Sequence, residues 1–357
     1  MPKDMREKNV QVERRSFIAS LAALAAVRAV GGGDTVYSKA RSELNAMVDG
    51  GFCDCAVAGG ASGPCVAAAS VGSEVSERSL FEVASVSKVF TAAVCARLYA
   101  AGDVDIDEPV HGRATLRDLA THTSGYTDGW MARAGVYGNV WPFKTDADYE
   151  RAAKAAAPTY EKGSKAVYSC TNMILAGFAL ERKLGMDLDA AAKKYVFGPL
   201  GMNSSTWRNV PSTNRLLVRI YTKGPRPLGT KGDENARNFS RPLGNAGVFT
   251  SLGDLRLFMR DLLERRAFEK NYYDLLFKCH YDGVKTRRSF GWNMSPGSVP
   301  PGWSRGTICH SGYTGQYLAI DPEQGRAACV LTNLKSADGA MRAKSFELRR
   351  KIAALLG

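Results

Sequence analysis

The segment 85–102 carries the clearest hydrophobic pattern in the chain. Its apolar residues recur three or four positions apart, at Val86, Val89, Phe90, Ala93, Val94, Leu98 and Ala101. This spacing places them on one face of an α-helix, and Gly102 follows as a residue type that commonly ends one. We therefore predict a helix that begins at Ser85 and packs against the core.

Other parts of the chain divide into helical and strand-like patterns. Helical spacing predicts further helices over 41–49, 115–121, 146–157, 171–184, 187–195, 251–263 and 341–356. Short alternating or apolar runs between Gly and Pro turns predict strands within 53–71 and over 289–294, 306–312, 316–321 and 327–333. Residues 219–244 are polar and basic and contain Pro225 and Pro227, which favours an extended surface loop.

The order of these elements predicts the fold class. Strands lie near both ends of the chain and helices lie between them, which is typical of an α+β fold. We expect an antiparallel sheet built from both chain ends and flanked by helices, with a mostly helical subdomain inserted. The sheet lobe would comprise residues 34–110 and 245–357, and the insertion residues 111–244.

Residues 1–33 are better interpreted as an export signal than as part of the fold. Arg14 and Arg15 precede an apolar run over 17–27, and small residues near Ala29 offer a cleavage site. The paired arginines resemble the twin-arginine type of bacterial signal. We therefore expect export to the periplasm or cell envelope. The alternative is an N-terminal helix of a cytoplasmic protein.

Composition and charge exclude several classes of protein. The chain has 357 residues and 45% hydrophobic residues, as an ordinary globular protein does. Its longest apolar run is shorter than the roughly 20 residues of a membrane-spanning helix, so we expect no stable membrane insertion. The formal charge is +13, with small basic clusters at 285–288 and 349–351. No aromatic residues interleave them as in a nucleic-acid platform, so we interpret them as a solvated surface or as weak attraction to anionic envelope polymers.

Eight cysteines are present, none with the spacing of a zinc site: Cys53, Cys55, Cys65, Cys95, Cys170, Cys279, Cys309 and Cys329. We therefore expect no metal and no cofactor. The first three flank a Gly-rich turn, so a disulfide across that hairpin and buried free thiols are both open.

Ser85 and Lys88 are the strongest candidates for chemistry. They lie three residues apart, so both side chains share one face of the first helical turn. A serine hydroxyl needs a base to become a nucleophile, and a lysine can serve if burial or nearby positive charge lowers its pKa. The helix N-terminus favours the negative charge that develops beside it. By itself, Ser-x-x-Lys is a weak pattern, and a capping serine followed by a solvated lysine is the alternative.

The surrounding sequence resembles a known family. Residues 81–110, FEVASVSKVFTAAVCARLYAAGDVDIDEPV, are similar to the nucleophile helix of the class C serine β-lactamases and of the related DD-peptidases, D-aminopeptidases and family VIII esterases. Matching segments follow in the family's order at 115–126, 168–172, 197–206, 244–263, 290–294 and 310–312. The resemblance covers about residues 50–340 and implies the β-lactamase/DD-peptidase fold.

The resemblance also implies roles for individual residues. Ser85 would form an acyl-enzyme, while Lys88 and Tyr168 would transfer its proton. The pKa of Tyr168 would have to fall from about 10 toward neutrality beside a cationic lysine. The backbone N–H groups of Ser85 and Tyr313 would bind the oxyanion. The triplet His310, Ser311 and Gly312 falls where the family has Lys-Thr-Gly or His-x-Gly, so His310 would place a dipole or partial positive charge above the site.

Cys170 departs from the family pattern. It stands at the third position of the Tyr-x-Asn motif, where the family's asparagine contacts the lysine and the substrate amide. A thiol is a far weaker hydrogen-bonding group than an amide. We therefore expect weaker β-lactam and peptide turnover relative to ester turnover. A reactive Cys170 is a further alternative, and Asn172 is not expected to substitute for the missing asparagine.

These observations predict an exported serine hydrolase that acts on an ester or amide, which includes β-lactams, D-amino-acid peptides and carboxylic esters. The substrate would be a small molecule or a cell-wall peptide, with no nucleic-acid partner, and the protein would be a monomer. The main alternative is a non-catalytic penicillin-recognising or cell-wall-binding relative of the same fold. A third interpretation is an unrelated secreted scaffold with accidental motifs.

Overall fold

The computed structural model describes residues 33–138, 140–222, 224–335 and 338–357, so the predicted export signal, except for its last residue, lies outside the described residues. The strands are β1 (Cys53–Gly60), β2 (Cys65–Ala69), β3 (Phe81–Glu82), β4 (Pro109–His111), β5 (Ala114–Thr115), β6 (Phe249–Thr250), β7 (Tyr281–Asp282), β8 (Arg287–Arg288), β9 (Ile308–Ser311), β10 (Gln316–Asp321) and β11 (Arg326–Leu334).

The helices are α1 (Gly33–Asp49), α2 (Ser87–Ala100), α3 (Leu116–Ala120), α4 (Gly129–Arg133), α5 (Asp146–Lys154), α6 (Cys170–Leu184), α7 (Leu188–Ala192), α8 (Gly198–Leu200), α9 (Glu234–Asn238), α10 (Leu252–Glu264), α11 (Lys270–Phe277) and α12 (Gly339–Leu356). A 3₁₀ turn at Ala84–Val86 leads into α2, and a π-helical turn at Lys193–Phe197 follows α7. Within the described residues, no helix combines the length and the hydropathy needed to cross a bilayer.

The main sheet confirms the predicted fold class. Its five strands are antiparallel in the order β2-β1-β11-β10-β9, so the two ends of the chain meet where β1 pairs with β11. Side chains alternate between the faces of the sheet, as strand geometry requires. Ala56 and Ala58 pack with α1 and α12 on one face, whereas Val57 joins the larger core around α2 and α10 on the other.

The helical predictions are confirmed except at their ends. Helix α1 begins at Gly33 instead of residue 41, and α12 begins at Gly339. Residues 111–244 contribute mostly helices and loops. The division into a sheet lobe of 34–110 and 245–357 and an insertion of 111–244 stays a prediction.

Two local predictions are wrong. Residues 289–294 form a tight turn instead of a strand, because Ser289 N donates to Trp292 O and Trp292 N to Ser289 O. Residues 219–244 are largely irregular, as expected, but they are not simply a surface loop. Their second half contains α9, and Phe239 and Leu243 are buried in a small aromatic cluster with Tyr149.

Of the two alternatives left open for the cysteines of the first hairpin, the structure has free thiols, since all eight cysteines are free. The register of the hairpin explains this result. Cys65 lies opposite Gly59, and Cys55 lies opposite Ala69, so the strands pair no two cysteines directly. The thiols of Cys53 and Cys55 are buried, which matches the alternative interpretation.

Candidate active site

Ser85 lies in the middle of the 3₁₀ turn that begins α2. Its neighbours Ala84 and Val86 are buried, whereas Ser85 itself is half-buried and lines a cavity of about 480 Å³. The first N–H groups of a helix have no partner within the helix and carry partial positive charge. The local sequence therefore places a hydroxyl at an electropositive helix start that faces an open cavity.

Lys88 is completely buried beneath Ser85. Its Nζ lies 2.9 Å from Ser85 Oγ, 2.7 Å from the backbone oxygen of Asn245 and 3.6 Å from Cys170 Sγ. An ammonium group has three N–H donors, and these three acceptors match them. The structure thus brings the predicted serine and lysine into direct contact.

The pKa of Lys88 does not meet the condition for a lysine that serves as the base. Burial by itself would lower the pKa of Lys88, but the nearby groups of Cys170 and Tyr168, when ionised, outweigh burial, so that pKa lies above its ordinary value. The three acceptors around Nζ also suit an ammonium. Lys88 is therefore a cation at rest, as the resemblance implied.

Tyr168 forms one wall of the cavity, just before α6. Its ring centre lies 5.1 Å from Lys88 Nζ and 4.8 Å from the ring centre of His122, and the residue is 41% exposed. Burial of the hydroxyl end raises the pKa of Tyr168 more than Lys88 and Ser85 lower it. The expected fall of this pKa toward neutrality is therefore not found, and Tyr168 is a neutral phenol at rest.

Cys170 opens α6 beside Lys88. Burial raises the pKa of its thiol to about 11, so the group is a neutral thiol at neutral pH. Asn172, as predicted, does not replace the missing asparagine. Its side chain is buried and engaged by Ser124 and, at 3.1 Å, by His122 Nδ1.

His310, Ser311, Gly312 and Tyr313 form the opposite wall, at the end of the edge strand β9. Burial, helped by Lys88 and Arg288, lowers the pKa of His310 to about 3, so this residue contributes a dipole and not the partial charge that we also considered. Its Nδ1 lies 3.0 Å from Ser311 O. A Cβ on Gly312 would lie 2.7 Å from Val83 O, so only glycine lets this strand approach the turn that carries Ser85.

Arginines that the sequence placed on the surface also line the cavity. Arg288 is only 9% exposed and Arg349 3% exposed, so the basic clusters at 285–288 and 349–351 are partly internal, contrary to the prediction. Arg342 stacks on the Tyr313 ring, with Cζ 3.7 Å from its centre. Among the described residues that line the cavity, none is acidic.

Sequence reasoning missed four residues that shape this site. The backbone oxygen of Asn245 contacts Lys88, and Arg288 lines the cavity. Asp128 accepts a hydrogen bond from the backbone just after Tyr168, and Glu82 accepts one from the backbone just before Ser85. The segment 244–263 was recognised, but nothing in it marked Asn245 as the acceptor for Lys88. Only the charge of Arg288 was visible, and charge alone favours a solvated position.

Comparisons with known proteins agree with this geometry. The family model described as Beta-lactamase matches residues 18–349. The chain is 24% identical over 287 residues to the D-alanyl-D-alanine-carboxypeptidase/endopeptidase AmpH of Escherichia coli strain K12, an alignment that covers 71% of this chain and 70% of the relative.

Solved structures show the same fold. The D-alanine carboxypeptidase AmpC of Burkholderia cenocepacia matches with a TM-score of 0.70 at 17% identity, over 88% of this chain and 98% of that chain. EstCE1, described as a hydrolase with promiscuous acyltransferase activity, matches with a TM-score of 0.73 at 18% identity, over 91% of this chain and 100% of that chain. The resemblance inferred from the motifs is confirmed, and the chain belongs to the β-lactamase family of serine hydrolases.

Proposed function

We propose that the chain is an exported serine hydrolase that cleaves an ester or amide through an acyl-enzyme on Ser85. The observation that carries this proposal is the 2.9 Å contact between Ser85 Oγ and the fully buried Lys88 Nζ at the floor of a cavity. Export rests on the leader sequence at residues 1–33, and we expect a monomer.

The reaction begins when Ser85 Oγ attacks the substrate carbonyl carbon. The new C–O bond forms as the hydroxyl proton leaves toward the Lys88–Tyr168 pair, and the backbone N–H groups of Ser85 and Tyr313 bind the resulting oxyanion. The bond to the leaving group then breaks, and that group takes up the proton. Water repeats the attack on the acyl-enzyme, which releases the acid and restores Ser85.

The charge states of Lys88 and Tyr168 at rest set a condition on these reaction steps. Because Lys88 is an ammonium and Tyr168 a neutral phenol, the pair must lose one proton before it can accept that of Ser85. Cationic neighbours favour this loss. Arg288 lies 5.7 Å from the Tyr168 ring centre and is positioned to support a phenolate.

The arginines that line the cavity favour a substrate that carries a carboxylate close to the scissile bond. Arg288, Arg342 and Arg349 face the cavity with no acidic residue among its described lining residues. A peptide with a free C-terminus and a β-lactam both carry such a group. The name of the relative from Escherichia coli specifies a carboxypeptidase of this kind. The thiol at Cys170 favours a labile acyl bond within this class.

The nucleophile is tested by mass spectrometry after incubation with a fluorophosphonate or penicillin probe. The peptide that contains Ser85 should gain the mass of the acyl or phosphonyl group. Ser85→Ala should abolish this gain in mass. Ser62→Ala, which changes an exposed serine, should leave the labelling of the Ser85 peptide unchanged. Labelling at another residue, or none with any acylating probe, would count against the proposal.

The substrate class is tested with matched pairs. A D-Ala-D-Ala peptide is compared with its C-terminal amide, and a carboxylate-bearing p-nitrophenyl ester with a neutral one. We expect the anionic member to have the higher kcat/KM, and Arg288→Met to reduce that preference by roughly tenfold, as loss of one charge-assisted hydrogen bond predicts. An equal kcat/KM for both members of each pair would contradict an anionic substrate.

Cys170 favours one second candidate function. A member with a weakened acylation site could bind a penicillin or cell-wall peptide without turning it over. Stoichiometric labelling of Ser85 without product release would support this binding function. Steady turnover of any of the peptide or ester substrates above would exclude it.

A further inference from the structure

Glu82 is a buried acid three residues before Ser85, at the end of β3. The residue is 0% exposed, and its Oε1 accepts a hydrogen bond of 3.0 Å from Ala84 N. Its Oε2 is also buried and has no hydrogen-bond partner among the described residues. Neither the cavity lining nor the proposed proton transfer uses this carboxyl group.

The residue that Glu82 holds has a strained backbone. Ala84 has a φ of 45°, which lies in the left-handed region that residues other than glycine rarely adopt. Such a conformation persists only where the surroundings enforce it. Ala84 directly precedes Ser85, so its conformation sets the direction in which Ser85 leaves the turn. The hydrogen bond from Ala84 N to Glu82 is a side-chain contact that enforces it.

Glu82 also connects this turn to the opposite wall of the cavity. Its backbone oxygen accepts a hydrogen bond of 3.2 Å from Thr314 Oγ1, and Thr314 follows Tyr313, whose N–H is the second proposed oxyanion donor. The two halves of the proposed oxyanion site therefore meet at Glu82.

The charged groups around the carboxyl come from the segment that leads into α9. Lys231 is 5% exposed, and Asp233 and Arg237 follow it. Gly232 lies against Oε2, where an added Cβ would be 3.1 Å away. Burial and then Asp233 raise the pKa of Glu82 to about 7, against a smaller lowering by the hydrogen bond from Ala84 N, by the nearby N–H of Gly232 and by Lys231. His122 and His310, the described histidines beside the site, have lowered pKa values and therefore do not titrate in the pH range where Glu82 does.

We propose that Glu82 is a positioning residue whose carboxylate holds Ala84 in its left-handed conformation and so aims Ser85 at the substrate carbonyl. This inference rests on the proposed role of Ser85 as nucleophile. An ionised carboxylate is a stronger acceptor than a neutral carboxyl. When Glu82 is protonated, the carboxyl group loses its charge and the contact with Ala84 N weakens. The turn then relaxes, and acylation slows.

The test measures the acylation of Ser85 by a penicillin or fluorophosphonate probe between pH 5 and 9. The wild-type chain is compared with Glu82→Gln and with Glu181→Gln. Glu181 is a matched control because it is also a buried acid whose pKa burial raises to about 7, and it also accepts a backbone N–H, that of Leu188. It lies near the far end of α6, about 16 Å along the helix axis from Cys170.

The ratio of the wild-type rate to the Glu82→Gln rate should rise with pH to about 7 and then level off at roughly tenfold, the effect of one charge-assisted contact. Taking this ratio cancels the titration of Lys88 and Tyr168. The difference should lie in the maximal acylation rate, with the dissociation constant of the probe unchanged. The Glu181→Gln ratio should stay near one at every pH.

A Glu82→Gln rate equal to wild type, or a ratio that does not change with pH, would overturn the positioning role. If the wild-type chain itself is not labelled on Ser85, the proposed function fails first, so the two failures are distinguishable. If circular dichroism shows that Glu82→Gln does not fold, Glu82→Met decides, because an aspartate at this position can itself accept from Ala84 N in an Asx turn. Methionine fills a similar volume but has no oxygen to accept from Ala84 N. It should acylate slowly, and a wild-type rate in Glu82→Met would overturn the inference.

Discussion

At the scale of single residues, the reacting groups are defined by which acceptors they meet. Lys88 would be a solvated cation on an isolated helix, yet here its ammonium contacts Ser85 Oγ, Asn245 O and Cys170 Sγ and nothing of the solvent. A buried charge without such partners would cost several kcal/mol, on the order of the penalty for an unpaired ion. The contacts therefore explain both why Lys88 is buried and why it stays charged.

Replacing Cys170 by asparagine tests the one departure from the family motif. An amide offers stronger hydrogen bonds than a thiol to Lys88 and to a substrate amide, worth about 1–3 kcal/mol of transition-state binding. We expect Cys170→Asn to raise kcat/KM for an amide or β-lactam by roughly tenfold relative to a matched ester. Cys65→Ser, at a half-buried thiol in the edge strand β2, serves as the control. An unchanged amide-to-ester ratio would show that position 170 does not govern this selectivity.

At the scale of secondary structure, α6 depends on a cap from outside its own sequence. Ser169 precedes the helix but makes no capping bond of its own. Asp128 instead accepts hydrogen bonds from Cys170 N at 3.0 Å, from Thr171 N and Oγ1 at 2.9 Å, and from Ser169 Oγ at 2.7 Å. Because Tyr168 and Cys170 lie at this helix start, the cap also positions one wall of the cavity and the thiol beside Lys88.

Asp128→Ala should therefore destabilise the protein more than the loss of an ordinary cap. It leaves two backbone N–H groups and two hydroxyls without this acceptor, so we expect a loss of about 2–3 kcal/mol of unfolding free energy, measured by denaturant titration. The control is Asp187→Ala at α7, where the carboxylate accepts from a single helix N–H, that of Ala190, and where we expect about 1 kcal/mol. Equal losses in the two variants would contradict the special role of Asp128.

At the scale of the whole molecule, the sheet and the core around it assemble from distant parts of the chain. Strand β1 pairs with β11 across more than two hundred residues, and the loop before α9 closes over Glu82. This closure buries acids as well as apolar groups. Burial raises the pKa values of both Glu82 and Glu181 to about 7, and in Glu181 it outweighs the ion pair with Arg241 at 3.0 Å.

Stability should consequently depend on pH between about 4.5 and 7. A group whose pKa is raised on folding stabilises the folded state fully below its ordinary pKa, here 4.5, and loses that contribution as pH rises to about 7. For Glu82 this difference corresponds to about 3 kcal/mol of unfolding free energy. Glu82→Gln should therefore gain stability relative to wild type as pH rises through this window. Denaturation midpoints at pH 4.5 and 8 measure it, and a constant difference would contradict the raised pKa.

Much of the fold follows from patterns within single segments. Helical spacing identified α2, α6, α10 and α12, and alternation identified the strands at both chain ends, because the period of apolar residues reflects which face is buried. The same local logic failed for residues 289–294 and for the basic clusters. Arg288 and Arg349 are buried by elements distant in sequence, and nothing in their own segments reveals that environment.

The amino-acid sequence by itself determined the class of the fold and the family, together with the candidate nucleophile and its lysine, since these depend on residue types at fixed spacings along one helix or in one order along the chain. Only the tertiary structure decided the charge states of Lys88 and Tyr168, the cationic lining of the cavity and the contact of Glu82 with Ala84. These properties depend on burial and on through-space neighbours, and electrostatic energies and pKa values respond to distance in space and not to separation in sequence.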